Sequence, residues 1–293
     1  MNWPRELRNN IKIREPLKRH TTFRIGGEAA FFCEPKNTEE LKLLIKTAMA
    51  KSVMIRIIGC GSNILPKDKL KKCLVVKLSA PNFRAIEFDG NKAYVGSGAL
   101  ISSIIRLSGA RGLSGLEFLA GVPATVGGTL VMNAGAWGQN LSNLVEQVEV
   151  MDYNGRIKNL SRKTIKFFYR GSNLGKFIVI SCCLNLKKKS TIEVKQLINY
   201  YISGRRQSQD LSLPSAGCVF KNPQGNSAGK LIDLCGLKGK KVGGAAVSEK
   251  HANFIVNQKN AKAADVMKLI RIIKNSVNKK FGVDLCPEIM IWD

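Results

Sequence analysis

Two histidines in 293 residues, and eight cysteines with no C-x-x-C pair among them, leave few of the ligands that zinc and related metals take; no metal site is expected. The opening MNWPRELRNNIKIRE is charged and lacks the apolar core of a signal peptide, so a cytoplasmic location with reduced thiols is expected. No apolar run approaches the roughly 18 residues that a membrane helix needs. Acidic residues are also scarce, 21 against 47 lysines and arginines, for a net charge of +26. That excess raises a nucleic-acid partner. Yet the basic residues are scattered (Lys69, Lys71 and Lys72; Lys187 to Lys189; Lys238, Lys240 and Lys241; Lys274, Lys279 and Lys280), and aromatics are not interleaved as in single-strand binders. A lysine-biased solvated surface explains the count as well, and a basic protein still attracts small anionic substrates, so the charge does not choose among partners.

What the chain has is glycine in one place. Gly115 to Gly138 reads GLEFLAGVPATVGGTLVMNAGAWG, with Gly112 just upstream. Small residues at this density let backbone N–H groups converge on a ligand, as diphosphate cofactors require. A tightly packed turn region has the same composition. A second segment, IGCGSNIL (Ile58 to Leu65), follows an apolar strand and sets Ser62 and Asn63 beside Gly59 and Gly61, a composition suited to phosphate. Neither the G-x-G-x-x-G fingerprint nor a P-loop is met.

Periodicity predicts helices at Thr38–Lys51 (capped by Asn37), Ala99–Ala110, Thr191–Arg205, Ala228–Cys235 and Ala261–Phe281. Strands are expected at Val53–Ile58, Cys73–Leu78, Phe177–Leu186, about Val242–Val247 and Asn253–Val256, and at Glu288–Trp292. Hairpins are expected around Asp89-Gly90 and Asn154-Gly155, and a loop over Leu213–Asn226. The mixture is α+β. The helix after the Lys187–Lys189 triplet reads as a connector between domains.

Three short segments carry chemistry. LPSAGCVFKNP (Leu213 to Pro223) places a thiol, an ammonium and an amide among turn formers; a thiol with an ordinary pKa near 8.5 is a proton donor at neutral pH. FYRGS (Phe168 to Ser172) sets Arg170 after two aromatics. PEIMIW (Pro287 to Trp292) opens an apolar strand with Glu288, which needs a partner if buried, and Arg170 could serve. A packed loop cysteine and a structural ion pair would use the same residues. The other seven cysteines read as small core residues.

Taken together and in order, HTTFRIGG (His20 to Gly27), IGCGSNIL, the glycine-rich stretch, YRGS, PSAGCVFKNP, AGKLIDLCGLKG, GGAAVSEKHANFIVN and PEIMIWD resemble the UDP-N-acetylenolpyruvoylglucosamine reductase family over nearly the whole chain. The resemblance implies a vanillyl-alcohol-oxidase (PCMH)-type FAD-binding fold. It comprises two α+β flavin subdomains, 1–80 and 81–188, and a smaller α+β substrate domain, 189–293. It also implies NADPH as the hydride source, and UDP-N-acetylenolpyruvoylglucosamine as the substrate reduced toward UDP-N-acetylmuramate for peptidoglycan.

By the same resemblance FAD is held by Gly59, Gly61, Ser62, Asn63, Gly121, Thr125, Gly127, Gly128 and Ala134. Arg170 and Glu288 stabilise the developing charge, Cys218 donates a proton where the family most often has serine, and Tyr169 and Asn222 touch substrate. Only 47 residues separate Arg170 from Cys218, which matches the shorter subtype. No histidine stands in the first glycine loop, so FAD is expected to be non-covalent, unlike that of many oxidases of this fold. Another flavin oxidoreductase and a basic nucleic-acid binder are the alternatives; flavin absorbance separates the two flavoenzymes from the binder.

Overall fold

A computed structural model describes residues 3–293. The chain forms two compact units: 1–14, 30–60 and 72–204 make the first, and 15–29, 61–71 and 205–293 the second. They interleave along the chain, whereas the sequence reading cuts it into three consecutive segments. The boundary at 204/205 falls inside the helix Thr191–Ser208, the expected connector.

The first unit is built on two sheets. One runs in the order Ile11–Pro16, Glu28–Cys33, Cys73–Lys77, Met54–Ile58, with Cys73–Lys77 parallel to both neighbours. Its central run, Cys73 to Val76, is wholly buried, as a strand covered on two faces must be. Helix Thr38–Ala50 buries Leu41, Leu44, Ile45 and Ala48, and Asn37 caps it by accepting the Glu40 N–H at 2.9 Å. The second sheet is antiparallel, in the order Ile157–Ser161, Val145–Met151, Ile178–Asn185, Lys92–Gly96, Ile86–Asp89. Alternate residues Ala93, Val95, Val148, Val150, Cys182 and Leu184 join the core beneath it.

The Asp89-Gly90 turn is displaced by one residue. Asp89 pairs with Lys92, so Gly90 and Asn91 form the loop, with positive φ at Gly90. A II′ turn wants glycine first, and that requirement sets the register.

The second unit carries an antiparallel sheet, in the order Ser215–Cys218, Phe254–Asn257, Ala245–Val247, Lys241–Val242. Helix Ala263–Phe281 buries Val266, Leu269, Ile270, Ile273 and Val277 in the same core as Phe23, Ile25 and Leu65. Asp68 caps that helix from a distance, its carboxylate accepting the N–H groups of Ala263 and Ala264 at 3.0 and 3.1 Å. Ile64–Pro66 pairs in parallel with Met290–Trp292. No helix among the described residues is long and apolar enough to cross a membrane.

Candidate active site

In the first unit the two glycine segments meet. A Cβ on Gly59 would overlap Thr125 Oγ1, and one on Gly127 would press on the Ser97 side chain. Thr125 also caps the short helix Val126–Val131 through the Gly128 N–H, at 3.3 Å. The backbone at Gly59 and Gly127 is thus approached as closely as glycine permits. This is the cradle a dinucleotide needs, and these residues fit FAD. Gly121 and Gly128 are exposed, and Ala134 is half-buried. Gly61, Ser62 and Asn63 belong to the second unit, where a Cβ on Gly61 would strike the His20 carbonyl. Burial pushes the Cys60 thiol pKa up, the Lys77 charge opposing it, which keeps that thiol protonated.

Tyr169 and Arg170 form the tip of a two-residue hairpin, closed by Phe168 pairing with Gly171. Arg170 has φ +55, and its guanidinium lies 5.2 Å from the Tyr169 ring centroid. Side-chain hydrogen bonds strap the hairpin to the glycine-rich stretch. Asn133 Nδ2 donates to the Phe168 carbonyl at 3.2 Å, Arg170 Nη1 to the Gly135 carbonyl at 2.8 Å, and Ser172 Oγ to the Val131 carbonyl at 2.9 Å. A non-glycine residue at positive φ costs about 1–2 kcal/mol, so the straps hold a strained arginine in one geometry. Buried Glu117 also braces the stretch, accepting the Gly115 N–H at 2.7 Å.

In the second unit Cys218 ends a strand, Ser215–Cys218, where a loop was expected. The register against Phe254–Asn257 slips by one residue between Ser215 and Cys218, and Gly217 lies in the slip with φ +73. Such a bulge re-aims the side chain that follows it.

Glu288 precedes the final strand, Met290–Trp292, rather than opening it. Its N–H donates to the Val219 carbonyl at 2.7 Å, and its carbonyl accepts from Asn63 Nδ2 at 3.2 Å. Cys218 and Glu288 therefore lie on facing backbone segments; both are half-buried. Asn222 is exposed, and its Oδ1 accepts the Ala228 N–H at 3.0 Å.

Three residues escaped the sequence reading. Asn133 straps the Arg170 hairpin, and Asn253 grips the Cys218 segment. Arg205 is buried; burial pulls its pKa down, and interaction with the Cys218 thiol opposes that. Asn133 stands in the glycine-rich stretch and Asn253 in GGAAVSEKHANFIVN, but nothing in their spacing reveals which carbonyls they reach.

The seven remaining cysteines are not all core. Cys33, Cys73, Cys182 and Cys183 are buried, Cys60 and Cys235 are half-buried, and Cys286 is exposed. Cys286 stands between Leu285, which joins the core, and Pro287 of the bridge to Phe220, and is itself on the surface. Among the described residues no cysteine is disulfide-bonded, and no three His, Cys, Asp or Glu cluster as metal ligands.

The FAD binding domain family matches residues 29–161, and the UDP-N-acetylenolpyruvoylglucosamine reductase C-terminal domain matches 208–292. A UDP-N-acetylenolpyruvoylglucosamine reductase of Moorella thermoacetica is 42% identical over 98% of this chain and 96% of its own. One from Clostridioides difficile is 41% identical over 97% and 94%. A crystal structure of the Thermus caldophilus reductase aligns with TM-score 0.83 at 35% identity, covering 97% of this chain and 98% of that one. A variant of Phl p 4, a glucose oxidase, aligns at TM-score 0.51 and 16% identity over 72% of this chain and 49% of its own, a likeness of fold. The fold is the vanillyl-alcohol-oxidase (PCMH) type, and the chain binds FAD. With near-full-length relatives at this identity, the chain belongs to the UDP-N-acetylenolpyruvoylglucosamine reductase family.

Proposed function

We propose that this chain uses NADPH to reduce UDP-N-acetylenolpyruvoylglucosamine to UDP-N-acetylmuramate, in the cytoplasm, for peptidoglycan synthesis. The observation that carries the reading is the placement of Cys218 and Glu288 on facing backbone segments, joined where the Glu288 N–H bonds the Val219 carbonyl at 2.7 Å. One acid and one carboxylate held together by backbone is what a protonation step needs.

FAD, bound non-covalently, would supply hydride chemistry to the enolpyruvyl group of the substrate. Negative charge then develops on the carbon that bears the carboxylate and on the carboxylate itself. Arg170 meets that charge; a fixed cation aimed at developing charge is usually the largest single contribution to such a step. Glu288 works with it in a protonated or hydrogen-bonded form, since a bare carboxylate would repel the intermediate. Cys218 gives its S–H proton to the carbanionic carbon, forming the C–H bond and leaving a thiolate that solvent reprotonates. Tyr169 and Asn222 hold the substrate. The flavin-holding part spans 1–80 and 81–188 and the substrate-holding part 189–293 in this reading, and nucleic acid is not a partner.

The test is NADPH oxidation by the purified protein, with and without UDP-N-acetylenolpyruvoylglucosamine. Oxidation that depends on this substrate and yields UDP-N-acetylmuramate supports the reading. Rapid oxidation in air that ignores the substrate favours an oxidase.

A further inference from the structure

We propose that Asn253 is the positioning residue for the Cys218 proton donor. The inference rests on the reading of Cys218 given above. Asn253 is 3% exposed and its side chain is spent entirely on one neighbour. Oδ1 accepts the Phe220 N–H at 2.9 Å, and Nδ2 donates to the Phe220 carbonyl at 2.8 Å. Its own carbonyl accepts the Val219 N–H, also at 2.8 Å. Three hydrogen bonds thus fall on the two residues that follow Cys218.

The topology explains why a side chain does this work. Phe220 faces Pro287 in an antiparallel bridge flanked by Glu288 N–H to Val219 C=O and Lys221 N–H to Cys286 C=O. In that pattern the peptide groups of Phe220 itself point to the opposite edge. There the regular ladder has ended: its last pair is Cys218 with Phe254, where the partner strand begins after the turn at Ala252 and Asn253. An asparagine amide offers one C=O and one N–H, as a strand residue would, and it completes the ladder at a place the backbone does not reach. Phe220 is 1% exposed, so without Asn253 both of its peptide groups would be buried and unsatisfied. The segment from Cys218 to Phe220 is then gripped from two sides, by Asn253 and by the backbone around Glu288. The first grip fixes where the thiol sits relative to the second.

The consequence is specific to protonation. A proton donor displaced by about 1 Å loses on the order of 10²-fold in rate. Binding and flavin reduction do not use the thiol. The test compares holoenzymes of Asn253→Ala, Cys218→Ala and Asn257→Ala. Asn257 is a control of matched kind, a buried asparagine whose amide bonds Phe23 and Ala261. Turnover in deuterated water reads the substrate: where protonation fails after hydride transfer, recovered substrate carries vinyl deuterium.

Asn253→Ala is expected to make product about 10²-fold more slowly, with unchanged KM and unchanged flavin reduction by NADPH, and to return vinyl-deuterated substrate as Cys218→Ala does. Asn257→Ala is expected to melt lower and show no such label. Asn253→Asp, which keeps the acceptor for the Phe220 N–H, serves if the alanine variant does not retain flavin, and is read in the same way. If Cys218→Ala yields labelled substrate while the Asn253 variants do not, and their turnover tracks folded holoenzyme alone, Asn253 is structural and the inference is overturned. If Cys218→Ala turns over at the wild-type rate, the donor reading itself is wrong and the inference falls with it.

Discussion

Asn133 and Phe168 are joined by a single hydrogen bond, the Asn133 amide donating to the Phe168 carbonyl at 3.2 Å, and this bond ties the glycine-rich stretch to the hairpin bearing Arg170. Asn133 also accepts the Ser142 N–H and sits at φ +43, where asparagine is favoured over other side-chain-bearing residues. Asn133→Ala loses both bonds and that preference. About 2 kcal/mol of stability should go with them, read as a lower denaturant midpoint. The reduction of substrate should slow more than the reduction of flavin. Equal slowing of the two would show that the strap serves the fold alone.

Arg170 separates strain from function. Arg170→Gly and Arg170→Ala both lose the guanidinium and its bond to the Gly135 carbonyl, but only alanine keeps a Cβ at φ +55. The glycine variant should be the more stable by about 1 kcal/mol, with equally poor turnover. Chemical denaturation of the two decides it; an alanine variant as stable as the glycine one would mean that the backbone relaxes.

Much of the fold was legible in the sequence. Leu41, Leu44, Ile45 and Ala48 announce a helix by period, and Asn37 its start; both stand in the structure. The strand at Ser215–Cys218 was not legible, because Pro214, Gly217 and Pro223 read as a loop and only pairing with Phe254–Asn257 makes it a strand. Chemistry-bearing residue types could be chosen because their neighbours are unusual, as Glu288 is ahead of an apolar run. What held them could not. Asn133 and Asn253 act on carbonyls 35 and 33 residues away, and no local pattern records such a bond.

Gly59 tests the flavin cradle. Gly59→Ala places a methyl against Thr125 Oγ1 on a buried shelf and should leave the purified protein with a lower ratio of flavin to protein. In the wild type, acid precipitation should release all flavin to the supernatant. Yellow protein in the pellet would show a covalent link.

His251 gives a pH signature. Burial holds its pKa below the usual histidine value, and Lys238 adds to this. The unfolded chain's histidine titrates near ~6.5, so below that value the unfolded state binds the extra proton first. This contribution to stability is therefore present above ~6.5 and lost as pH falls toward the folded-state value. His251→Gln should flatten the acid side of the melting temperature against pH. An unchanged slope would assign the acid sensitivity to other groups.

Anaerobic stopped-flow of the two half-reactions, in the wild type, Arg170→Ala and Glu288→Ala, tests the central claim most directly. Flavin reduction by NADPH should proceed at close to the wild-type rate in all three. Flavin reoxidation by UDP-N-acetylenolpyruvoylglucosamine should slow by about 10² to 10³ in each variant, since only that step builds charge on the substrate carbon. Equal slowing of both half-reactions, or wild-type reoxidation in either variant, would contradict the roles given to Arg170 and Glu288.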